Sequence, residues 1–178
     1  PNTNLPLLNS TSNRIPNGLG NDNGLLGKFI AFHNYRATID AEFEGFPQYT
    51  TEGAKPTSHY IPRFRNVYRQ ETDFLRGYAA GFGAQPNRET NKEGFGAELS
   101  NQLLSTKETG VWNVNSHMMG ETIPKETNLV SLDQEKKDAW GIPLLNIDVD
   151  YDDNDEKMIQ DFYEQFSEMY EKSGFVNK

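Results

Sequence analysis

"PLLNIDVDYDDNDEKMIQDFYEQFSEMYEKSGF", residues 143–175, changes its hydrophobic period part-way along. Leu145, Ile147, Val149 and Tyr151 alternate with Asn146, Asp148 and Asp150, the repeat of a strand with one face buried. Farther on, Met158, Ile159, Phe162, Phe166, Met169 and Tyr170 fall on one side of a helical turn. Asp152, Asp153 or Asn154 can cap the start, and acidic residues in the first turn suit the helix dipole. Lys172 and Gly174 suit the end. The switch predicts a half-buried strand running into a helix over about 153–173, roughly 30 Å long.

Upstream, the periodicity is that of strands. "VWNVNSHMMGE" (111–121) and "NLVSLD" (128–133) read as strands. Gly141-Ile142-Pro143 punctuates the next connection, with Trp140 as its expected anchor. One or two strands are expected between about Lys28 and Glu44, half-buried from Tyr35 onward. "NVYRQETDFLRGYAAGFGA" (66–84) reads as a strand ending in a Gly-rich turn. Residues 45–65 form an ordered excursion, 85–97 a polar loop and 96–107 a short helix. Residues 1–27 are loop chemistry, rich in Asn, Gly, Pro and Ser. Strands followed by one long helix define an α+β fold. It is a mostly antiparallel sheet of about five to six strands, covered by the C-terminal helix and short helices.

A chain of 178 residues can bury a substantial core, roughly two thirds of its unfolded surface. Hydrophobic residues make up 35%, with 15 Gly and 9 Pro, so much loop and an incomplete or partner-completed core are expected. The net charge of −9 argues against nucleic acid, which requires clustered Lys and Arg, and against anionic lipid. Eight acidic and two basic residues lie between Asp152 and Lys172, as a solvated helix face would. The chain has no cysteine, which removes disulfides, thiolate metal sites and thiol nucleophiles and fits cytoplasm or periplasm alike. No apolar run is long enough to span a membrane. A start at Pro1 without a signal-type segment reads as a piece of something longer.

Most chemical motifs fail on spacing. "DVDYDDNDEKMIQ" lacks the glycine and terminal glutamate of a calcium loop in every frame. Gly18/Gly20/Gly24, Gly81/Gly83 and Gly94/Gly96 read as turns, and none forms a dinucleotide fingerprint. His33, His59 and His117 are too dispersed for a metal site, and no G-x-S-x-G exists. His117, beside Met118 and Met119, reads as a core or interface histidine. Tyr68, Gln70, Asp73, Phe74, Arg76 and Tyr78 mix aromatic faces with hydrogen-bonding groups. They are the candidate pocket wall for a sugar or polyol, with His117 as a further pocket candidate.

The segment 120–175 resembles the C-terminal region of the glucose–methanol–choline (GMC) family of flavin oxidoreductases. The matching residues are Gly120, Glu121, Pro124, Asn128 and Val130, then Lys137 and Asp138, then Trp140-Gly141-Ile142-Pro143, and finally Gly174-Phe175. Gly24, Leu26, Gly27 and His33 match a second stretch near the other end, while "TDFLRGYAAGFG" matches loosely. By the resemblance, the family's flavin-binding Gly-rich motif would lie upstream of Pro1 and its catalytic histidine motif after Lys178, and "SHMMGE" sits before the Gly120–Pro124 segment, where the family has a structural strand. No catalytic, cofactor or metal role is therefore assigned to any residue.

The resemblance implies a division of the chain. Residues 1–27 are the tail of a flavin-binding domain, and 28–178 a substrate-binding (cap) domain. The parent enzyme would hold FAD and oxidise the CH–OH group of a sugar or other alcohol. This piece would be inactive alone, hold no FAD, and pack against the flavin-binding domain of its own chain. Self-association through the apolar surface that domain normally covers is a further expectation. A stand-alone carbohydrate-binding or structural interaction module is the alternative reading.

Overall fold

The computed structural model describes residues 2–46, 59–86, 94–105 and 110–176. The expected excursion at 45–65 and loop at 85–97 lie largely outside them. The elements in chain order are α1 (Asn4–Asn9), β1 (His33–Asn34), β2 (Thr38–Phe43), β3 (His59–Ile61) and β4 (Tyr78–Pro86). They continue with α2 (Ala97–Ser105), β5 (Trp112–Glu121), β6 (Leu129–Lys137), β7 (Pro143–Asp148) and α3 (Asp153–Lys172). Antiparallel sheets and the long last helix make this an α+β protein, as the change of period at residue 151 implies. The chain divides into two compact units, each discontinuous: residues 1–33 with 122–153, and residues 34–121 with 154–178.

The second unit is built on a five-stranded sheet. β5 is its central strand, with β4 on one edge and β1 and β2 on the other, and β3 lies outside β4. Ile39 and Ala41 of β2, Val114, Ser116 and Met118 of β5, and Tyr78 and Ala80 of β4 face one way. Met158, Phe162, Phe166 and Tyr170 of α3 pack on them as the spacing predicts. Phe162 stacks on Phe166 at 4.3 Å and meets Tyr78 edge-on at 5.8 Å. Gly120 lets the helix approach, since a Cβ there would lie 2.7 Å from Met158 Sδ. The helix ends in a Schellman turn. Gly174 sits at φ 77°, its N–H donates to Glu171 O, and Phe175 N–H donates to Tyr170 O.

Residues 66–76 are not the expected strand. Asn66, buried and at φ 51°, replaces a partner strand with its own side chain. Its Nδ2 donates to Thr72 Oγ1, Phe74 O and Arg76 O at 2.8, 3.0 and 2.9 Å, and its Oδ1 accepts from Glu71 N at 2.8 Å. An alternating sequence carries no sign of such a competitor for backbone hydrogen bonds. The strand begins only at Tyr78, so Gly81 and Gly83 are strand residues and not a turn. Asn66→Ala removes the partner of Arg76 O and of the Glu71 and Thr72 N–H groups, while Phe74 O keeps Gln70 and Thr72 as donors, and lowers stability by about 2 kcal/mol. Denaturant unfolding of the intact protein checks this, and a loss below about 1 kcal/mol overturns the hub assignment.

In the first unit β6 and β7 form a two-stranded sheet. Asn128, buried at its entrance, donates from Nδ2 to Asp150 O at 3.1 Å and accepts from Asp150 N at 2.9 Å. Gly27 O accepts from Val130 N at 2.7 Å. Two expectations fail here. Trp140 is 85% exposed and anchors nothing among the described residues, because the Asp138 carboxylate closes the turn by accepting from Trp140 N and Ile142 N, both at 2.9 Å. Ile147 is 52% exposed and Val149 also lies open, so the alternation of 143–151 marks a strand without a buried face along its length.

Candidate functional site

The face of the five-stranded sheet away from α3 is the candidate site. Cross-strand register places three rungs on it. Glu42, Asn113 and Gln85 form the first, and Asp40, Asn115 and Gly83 the second. Thr38, His117 and Gly81 form the third, which Tyr60 of β3 extends. β2 thus supplies carboxylates, β5 carboxamides and an imidazole, and β4 the glycines. Asn115 Nδ2 donates to Asp40 Oδ1 at 2.7 Å. A groove of about 510 Å³ runs over Gly83 between Asp40, Asn113, Asn115 and Gln85. A Cβ at Gly83 would meet nothing within 4 Å, so the groove owes its depth there to the missing side chain.

Carboxylates accept hydrogen bonds, carboxamides donate and accept, and an imidazole does either according to its protonation. A row of such groups around a shallow groove suits ligands carrying several hydroxyls. Among the described residues no group of three or more His, Asp or Glu converges as metal ligands would, and no helix is long and apolar enough to cross a membrane.

The sequence-derived candidates do not converge as a set, although Asp73 and Phe74 share the wall of a smaller groove with Arg65 and Asp161. Phe74 and Tyr78 are core residues beneath α3. Tyr78 donates from its hydroxyl to Asp161 Oδ2 at 2.7 Å, and burial, reinforced by that bond, holds the phenol far above its ordinary value. Asp161 also receives Arg65 at 2.9 and 2.7 Å, a two-point ion pair that raises the guanidinium. Tyr68 is 99% exposed, and Gln70 donates back to Thr72 O and Phe74 O. Asp73 lies 3.6 Å from Lys157 Nζ, and Arg76 turns through φ 69° with its carbonyl held by Asn66. His117 is placed on the open face, stacked on Tyr35 with ring centroids 6.0 Å apart. Asp40, Asn113, Asn115 and Gln85 were not singled out by sequence. Their signal is the polar half of the alternation in "TIDAEF" (38–43) and "WNVNSH" (112–117), legible only once the sheet's covered face is known.

No protein-family model matches the chain. The sequence is 31% identical over 167 residues to a 2-methyl-1,2-propanediol dehydrogenase of Mycolicibacterium austroafricanum. The match takes in 84% of this chain and 28% of that protein, so the chain spans less than a third of its relative's length. The region is therefore similar to part of an oxidoreductase.

Proposed function

We propose that this chain is the substrate-facing portion of a GMC-type flavoenzyme that oxidises the CH–OH group of a sugar or other alcohol. Residues 1–27 then belong to the margin of a flavin-binding domain and 28–178 to the substrate-binding domain. The observation that carries the reading is the open sheet face, whose polar rungs surround a glycine-floored groove opposite the helix-covered side. The stretch shared with a dehydrogenase supports it. So do the places of the motif residues: Gly120 under Met158, Asn128 bonded to Asp150, and Gly27 against Val130.

Within this reading the chain itself is not expected to hold the dinucleotide. The nearest arrangement, Gly94 and Gly96 before α2, lies in the connection between β4 and β5, which pair antiparallel and so form no parallel crossover unit. In the parent the FAD would be held by other parts of the protein and would accept the hydride. The residues of this chain would bind and orient the alcohol.

The intact protein is expected to show a flavin spectrum that an alcohol substrate bleaches anaerobically, while the 178-residue piece purified alone shows none. Stoichiometric flavin in the piece, or none in the intact protein, overturns the reading. Sugar binding by an intact protein without flavin would favour a stand-alone carbohydrate-binding module.

A further inference from the structure

We infer that Gly81 is a positioning residue: its missing side chain, together with Tyr35, fixes the His117 imidazole as a hydrogen-bonding group for a hydroxylated ligand on the open sheet face. The inference rests on the proposed role of that face.

Gly81 and His117 are directly paired across β4 and β5. A Cβ built on Gly81 would lie 2.2 Å from His117 Cε1, 2.4 Å from Nε2 and 3.0 Å from Nδ1. The imidazole therefore occupies the space that any other residue at 81 would fill. Tyr35 stacks on the same ring with planes 27° apart. A histidine on a strand ordinarily has several rotamers open to it. Here strand backbone and a tyrosine ring restrict it, at the end of the polar groove.

The glycine is not there for its backbone. Gly81 does not lie in the left-handed region, so alanine suits the main chain, and the conflict is with the imidazole alone. Gly83, two residues along on the same face, has open space above it. The two glycines thus do different things: Gly83 deepens the groove, and Gly81 seats the ring beside it.

The test uses the intact protein carrying Gly81→Ala, Tyr35→Ala or Gly83→Ala, with His117→Ala to assign the imidazole resonances. Gly81→Ala and Tyr35→Ala are expected to shift and broaden the His117 ring signals, and Gly83→Ala to leave them in place. Titration with glucose and with glycerol is expected to give a Kd about tenfold higher in Gly81→Ala, the loss of one well-placed hydrogen bond. Unmoved His117 signals in Gly81→Ala overturn the inference. Should that variant fail to fold, Tyr35→Ala, at a half-exposed position, gives the same readout. Moved signals with unchanged binding of both probes also overturn it. A flavin-dependent alcohol oxidation persisting in that case places the failure here and not in the flavoenzyme reading.

Discussion

Replacing Asp161 with alanine is expected to lower stability by about 3 kcal/mol, and the melting temperature by roughly 6–12 °C. Arg65 meets both carboxylate oxygens and the buried Tyr78 hydroxyl donates to one of them. Removing the carboxylate leaves a partly exposed guanidinium and a buried phenol without their shared acceptor. Thermal melts of the intact protein measure the loss. Tyr78→Phe removes the same hydroxyl contact, so the double variant should be little worse than Asp161→Ala. Additive losses would show that the hydroxyl and the ion pair act separately.

Gly27→Ala is the second large effect, and it falls in the other unit. Gly27 lies at φ 84°, and a Cβ would come 2.3 Å from Val130 O. The carbonyl it would strike belongs to the residue whose N–H donates to Gly27 O at 2.7 Å. Alanine therefore meets left-handed strain and a backbone clash that no side-chain rotation relieves. The expected loss is about 3 kcal/mol. Hydrogen exchange should concentrate the lost protection in residues 122–153, with the sheet of the second unit retained. Full protection of Val130 in the variant would contradict this account.

Legibility from sequence followed how local the cause was. The helix was plain because Met158, Phe162, Phe166 and Tyr170 report a single face, and all four are buried. β5 was plain for the same reason in the other period. Residues 66–76 misled because a single buried Asn supplies hydrogen bonds that a propensity reading assigns to a neighbouring strand. Trp140 misleads because a large aromatic side chain suggests burial, whereas the Asp138 carboxylate shapes that turn. Half of the candidate site was hidden for a deeper reason. Asp40, Asn115 and Gly81 are remote in sequence, and only the register of β2, β4 and β5 sets them side by side.

Both units are discontinuous, and this has a bearing on the order of folding. The sheet strands of residues 34–121 are synthesised before α3, but their apolar side waits for Phe162, Phe166 and Tyr170. Between them the ribosome makes residues 122–153, which belong to the other unit. Neither the nascent sheet nor its open face can mature until residue 170 has left the exit tunnel. A stop codon anywhere before α3 thus removes the second unit's core along with the helix, and the polar groove with it.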